Sequence, residues 1–92
     1  MVYVVSYDLK KLDKDYIGLY EQLQHSPRWW HYLASTWLIS TPESASQLYT
    51  RLAAHLDHGD NILIIEAGNH IYGQLAKEAW EWIYKEIPNR QT

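Results

Sequence analysis

The stretch Val2-Tyr-Val-Val-Ser-Tyr-Asp8 decides how this chain is read. Valines and tyrosines in close succession fit a pleated, packed surface, so the segment reads as a short buried strand. Aspartate is depleted in strands, and Asp8 therefore marks the exit, where a loop can show its carboxylate to solvent or to a metal ion. Read most simply, Asp8 is just a strand-end residue. Residues 9–15 then turn polar and charged, as a surface loop should.

Working outward, Tyr16, Ile17, Tyr20 and Leu23 fall at i, i+1, i+4 and i+7, which marks one face of a helix of about three turns. Asp13 or Asp15 is placed to cap its start, and Ser26-Pro27 ends it. Residues 28–40 are aromatic and β-branched enough to be extended, either as one long bent strand or as two strands with a tight turn near Ala34-Ser35. Thr41-Pro42 breaks the chain again. Ser44 and Gln47 have the spacing of a capping box, and Ala45, Leu48, Leu52 and Leu56 give a second amphipathic face with Tyr49 beside it. Gly59 is the natural C-terminal cap of that helix. Ile62-Leu-Ile-Ile65 is a continuous apolar run, as expected for a strand at the centre of a sheet. Residues 67–70 form a turn, and 71–75 fit no single pattern. Ala76, Trp80, Ile83 and Ile87 mark a last helical face that Pro88 stops.

The order β-α-β-(β)-α-β-α predicts an α+β fold. The expectation is a ferredoxin-like β-α-β-β-α-β sandwich with an antiparallel sheet, helices on one face and an extra C-terminal helix. The bare sheet face would carry Tyr3, Tyr7, Trp37 and, with them, Trp30. An uncovered apolar face on a small domain calls for a partner, and a second copy related by a two-fold axis is the simplest one.

Ninety-two residues make one domain, 1–92, of a size that buries only roughly 60–65% of its unfolded surface. The absence of cysteine excludes disulfides and thiolate metal sites. The N-terminus does not read as a signal peptide, and no run approaches the roughly 20 apolar residues of a membrane helix. A cytoplasmic protein with no membrane partner is expected. Residues 1–52 carry five Lys/Arg against five Asp/Glu, and residues 53–92 three against six, for a net charge of −3. Nucleic-acid binders usually show a basic footprint; here only Lys10, Lys11 and Lys14, with Arg28 as a candidate to join them, offer a local patch.

Asp8 leads the candidates for chemistry. A lone carboxylate holds a hard cation poorly, but magnesium keeps most of its waters and needs only one or two carboxylates. Two Asp8 side chains meeting across a dimer axis would share one ion, which stabilises charge at a phosphodiester. His55 and His58, three apart at a helix end beside Asp57 and Asp60, have metal-ligand spacing, or else simply complement a helix C-terminus. His31 with Ser35 lacks the third group a nucleophilic site needs, and His31 and His70 read as interface or surface residues. Trp29-Trp30 beside Arg28 looks like a base-stacking platform, although aromatics so placed are more often core or interface.

The Tyr7-Asp8 strand end, the short helix, Ser35-Thr-Trp-Leu-Ile39 and Asp60-Asn-Ile-Leu-Ile-Ile65 together resemble the small CRISPR-associated adaptation protein, the Cas-two family. They resemble more closely its stand-alone relatives labelled SinR-like; the VapD-like toxins share the architecture. The similarity covers roughly residues 1–68. It implies a ferredoxin-like homodimer in which Asp8 is the catalytic residue and ligand of Mg2+ or Mn2+, in a metal-dependent endonuclease acting on RNA or DNA. Ser35 to Trp37 matches the family's second-strand serine motif loosely, the family's Arg-rich surfaces are missing, and residues 76–87 have no counterpart. The alternative is a non-catalytic dimeric module or scaffold that binds another protein through its aromatic face.

Overall fold

A computed structural model describes residues 1–10 and 16–87. The elements are β1 (Val2–Asp8), α1 (Ile17–Gln24), β2 (Arg28–Leu33), β3 (Thr36–Ser40), α2 (Ala45–Ala53), β4 (Asn61–Glu66) and α3 (Lys77–Glu86). The four strands form one antiparallel sheet in the order β2-β3-β1-β4. Because β1 and β2 both run antiparallel to β3, they are parallel to one another with β3 between them. By the same reasoning β3 and β4 are parallel and flank β1. The described residues thus form a small α+β structure of four strands and three helices. No helix among the described residues is long and apolar enough to cross a membrane.

Residues 28–40 resolve into two strands joined through Ala34-Ser35, with Leu33 paired to Thr36. Two-residue hairpins favour turns with positive φ. No non-glycine residue among those described has positive φ, and the ladder registers an irregularity between Trp30 and Leu33.

The core lies between one sheet face and the pair α1/α2. Tyr3 and Val5 from β1, Trp37 and Ile39 from β3, Leu19 and Leu23 from α1, and Leu48 and Leu52 from α2 are all nearly inaccessible, with Tyr7, Ile62 and Ile64 packed at the margin. This reverses the expected placement of the aromatics. Tyr3, Tyr7 and Trp37 are not on the bare face; they point at the helices. The physical reason is that strand side chains alternate, and the larger set of β1, Tyr3-Val5-Tyr7, fills the space beneath two helices better than Val4 and Ser6.

The opposite face carries Val4 and Ser6 of β1, Leu38 of β3, and Leu63 and Ile65 of β4, which the register sets side by side. Helix α3 covers only its β2 side. Trp30 is 2% exposed there, Ala79 and Ile83 are buried, and Arg28 reaches Glu86 at 2.8 Å. Its buried side is Ala79-Ile83, with Trp80 and Trp82 each half-buried on the flanks, so the face is rotated slightly from the expected Ala76-Trp80-Ile83 line. Residues 71–75 have no regular structure and lead into it.

Local expectations meet different outcomes. The capping box exists in full: Gln47 N donates to Ser44 Oγ at 3.2 Å, and Ser44 N donates to Gln47 Oε1 at 2.8 Å. Helix α2 ends at Ala53 with Ala54 as its cap, so Gly59 is not its terminator. Gly59 instead supplies φ +96° in the following turn, where Asp60 N donates to Asp57 O at 3.1 Å. Helix α1 buries Leu19 and Leu23 and leaves Ile17 exposed; its expected caps, Asp13 and Asp15, lie outside the described residues. The run at 62–65 forms a strand, but β4 is at the sheet edge, and β1 and β3 take the centre.

A polar knot ties the helix layer together. Arg51 of α2 donates to both carboxylate oxygens of Glu43, at 2.9 and 3.1 Å, to Ser26 Oγ at 2.9 Å, and to the Gln22 carbonyl. Thr41 Oγ1 adds a further donor to Glu43 at 2.9 Å. Arg51's hydrogen bonds hold the Glu43 carboxyl below its ordinary value despite partial burial.

Candidate functional site

Asp8 closes β1 directly opposite Asn61, the first residue of β4. By strand alternation it shares the open face with Val4, Ser6 and Leu63. Its side chain is 65% exposed, and the Lys10 ammonium lies 2.6 Å from Oδ2. Ser6, Tyr7, Asp8, Asn61, Ile62 and Leu63 line a shallow depression of about 250 Å³ at this end of the sheet. Its polar side chains are a hydroxyl, a carboxylate and an amide carbonyl. Such hard oxygen donors suit Mg2+, and so does a single carboxylate per chain, because the ion retains water. Asp8, Ser6 and Asn61 thus place a carboxylate, a hydroxyl and an amide oxygen at one end of the open face.

What fixes this corner is Asp60, a residue read from sequence as a neighbour of His55 and His58 and as the start of the motif that leads into β4. Its Oδ1 accepts from Lys10 N at 2.9 Å and from Tyr16 Oη at 2.9 Å, and its Oδ2 accepts from Asp57 N at 2.8 Å. One carboxylate thereby joins the exit of β1, the start of α1 and the turn before β4. Aspartates readily bond nearby backbone amides in turns, so the Asp57-His-Gly-Asp60 spacing carried part of that signal. The contact with Lys10, fifty positions away, had none.

The other candidates are not brought together. His55 and His58 lie beyond the end of α2, so no helix face aligns them. His55 packs over Gly18, where a Cβ would stand 2.6 Å from its Nδ1. His58 borders a second hollow with Tyr49, Leu56, Asp57 and Asp60. Among the described residues no group of three or more His, Asp or Glu is placed to hold a metal ion. The His31 ring stacks on Trp37 at 3.9 Å and 9°, with Nε2 3.1 Å from the Ala34 carbonyl; Ser35 takes part through its carbonyl, which accepts from Tyr7 N at 3.2 Å. His70 is exposed.

The Trp29-Trp30 platform does not form, because consecutive strand residues face opposite ways. Trp29 leans on Trp37 on the helix side, with centroids 5.3 Å apart, and Trp30 is buried on the α3 side. Nor does Arg28 join the lysine loop. It pairs with Ser40 at the end of the sheet away from Asp8 and is committed to Glu86. Lys11 and Lys14 lie outside the described residues.

No protein-family model, curated protein or solved structure matches the chain significantly.

Proposed function

We propose that this protein is a ferredoxin-like, nuclease-like homodimer whose open sheet faces meet about a two-fold axis, bringing two Asp8 carboxylates to one magnesium ion for phosphodiester cleavage in RNA or DNA. The observation that carries this reading is the coincidence of two features on one face. The exposed apolar pair Leu63 and Ile65, at 59% and 53%, sits beside the exposed strand-end carboxylate of Asp8. The ferredoxin-like assignment is supported by the strand order and by the two split β-α-β units, β1-α1-β2 around β3 and β3-α2-β4 around β1.

In this reading the chain's residues have distinct tasks. Leu63, Ile65 and Val4 supply the apolar contact that an isologous interface repeats on both copies. Asp8 and its partner's equivalent hold the ion. Magnesium, when bound, supplies Lewis-acid stabilisation of charge building on the phosphoryl oxygens. Asp60 keeps the corner rigid, so that the carboxylate is presented at a fixed strand end rather than from a mobile loop.

A second reading is a non-catalytic dimeric scaffold. The Lys10–Asp8 ion pair and the three-against-six charge balance of residues 53–92 favour it, since nucleic acid is held mainly by cations. One experiment separates the two: sedimentation for oligomeric state, together with cleavage of labelled single- and double-stranded RNA and DNA under Mg2+ or Mn2+, for wild type and Asp8→Asn. Dimers that cleave, with cleavage lost in a folded Asp8→Asn, carry the first reading. Dimers that cleave nothing leave the scaffold, and an Asp8→Asn variant as active as wild type overturns the assignment of cleavage to Asp8.

A further inference from the structure

Among the described residues, Lys10 is the cation paired with Asp8, and the ion pair alone does not explain its place in this site. Lys10 Nζ sits 2.6 Å from Asp8 Oδ2, while its own backbone N–H is fastened to Asp60 Oδ1 at 2.9 Å. Asp60 is anchored in turn by Tyr16 and Asp57. The lysine's root is therefore fixed, whereas its side chain, 53% exposed on a four-carbon stem, is free to swing.

We propose that Lys10 is the phosphate-contacting residue of the site and, when no divalent ion is bound, the counter-ion of Asp8. The inference rests on the reading of Asp8 as a metal ligand and adds to it the group that meets the substrate. A doubly charged ion competes for a carboxylate far better than an exposed ammonium, whose pairing shifts equilibria by no more than about fivefold. Displaced, the ammonium stays beside the depression lined by Ser6, Asp8 and Asn61. There it meets a phosphodiester oxygen as a compact point charge, the usual role of lysine toward phosphate. Neither arginine among the described residues takes this part, because Arg28 is bound to Glu86 at the far end of the sheet and Arg51 to Glu43 within the helix layer.

Such an exchange has a signature of opposite signs. Removing the ammonium frees Asp8 for metal and weakens the hold on nucleic acid. The test uses the full chain: calorimetric titration with MnCl2, and fluorescence anisotropy with a labelled single-stranded oligonucleotide in the presence of Mn2+, read in the cold and with the oligonucleotide shown intact on a gel afterwards. Lys10→Gln is expected to bind Mn2+ about two- to fivefold more tightly and the oligonucleotide about tenfold more weakly. Lys10→Arg, which keeps the charge, is expected to restore oligonucleotide binding. Mn2+ binding that Asp8→Asn abolishes but Lys10→Gln leaves unchanged overturns this role alone. Lys10→Gln weakening both ligands also overturns it, as a merely structural residue would. Mn2+ binding indifferent to Asp8→Asn overturns the metal reading and this role with it.

Discussion

Strands β1 and β4 are neighbours with nearly the same apolar content, yet the fold treats them differently. Strand β1 is hydrogen-bonded on both sides, to β3 and β4, and its Tyr3 and Val5 are almost fully buried. Strand β4 is paired on one side only. Ile62 and Ile64 turn inward to the helices, whereas Leu63 and Ile65 remain more than half exposed on the other face. A strand apolar on both faces is normally one buried on both faces. In β1 that condition is largely met within the chain; in β4 it is met on one side only. The difference teaches where the chain leaves apolar strand surface open to solvent.

The largest effect is expected on the β1 side. Tyr3→Ala removes a ring that is 1% exposed and whose hydroxyl donates to the Glu43 carbonyl at 2.7 Å. Loss of an aromatic from such a core costs about 3–5 kcal/mol, a large part of the stability of a small domain. Tyr3→Phe keeps the ring and forfeits the hydroxyl bond, at about 1 kcal/mol. Urea unfolding of both variants checks the ranking; near-equal midpoints would mean that β1 is not the centre of the core.

Next comes the knot behind β1. Arg51→Met leaves Glu43, Ser26 and the Gln22 carbonyl short of a donor in a partly buried setting, at a cost of about 2–3 kcal/mol. The pH dependence follows from the sign of the Glu43 shift. Its folded value is depressed by Arg51, so its contribution is complete above the ordinary glutamate value of 4.5 and is lost as pH falls through the folded value. Wild type is therefore expected to lose stability more steeply than Arg51→Met on acidification below about pH 4.5. Parallel acid profiles by circular dichroism would remove the Arg51–Glu43 pair from the account.

How much of this was legible in the sequence depends on the range of the interaction. Local signals carried well: the Ser44/Gln47 capping box, the strand end at Asp8, and the element order all appear where spacing places them. Facing was not legible, because alternation says that Tyr3, Val5 and Tyr7 share a side without saying which side the helices take. The position of β4 failed for a related reason. A continuous apolar run looks the same whether its second face is covered by this chain or left open. Around Asp8, the residue itself could be read from the strand pattern, but Asp60 and Lys10 come together only through the fold.

A smaller effect tests the approach to β4. Gly59 holds φ +96° with no atom within 4 Å of an added Cβ, so Gly59→Ala meets backbone strain without steric conflict. A cost of about 1 kcal/mol is expected. The same substitution at Gly68, also in open space, should be close to neutral. Equal losses at the two glycines would point to a cause other than the left-handed backbone.

The smallest effect on folding is expected on β4 itself, and it is the one that discriminates most about function. Leu63→Lys with Ile65→Lys places two charges on side chains that already face solvent, so the isolated domain should change by no more than about 0.5 kcal/mol. Association is another matter. If these residues form the core of an isologous contact, the double variant puts four uncompensated ammonium groups in each dimer and abolishes it. A dimer's melting point rises with protein concentration, and a monomer's does not. Wild type should therefore show that dependence and the double variant should lack it, with similar melting points at high dilution. A wild-type melt independent of concentration would mean that the open face of β4 is tolerated in water, and the metal site proposed at Asp8 would be left without its second carboxylate.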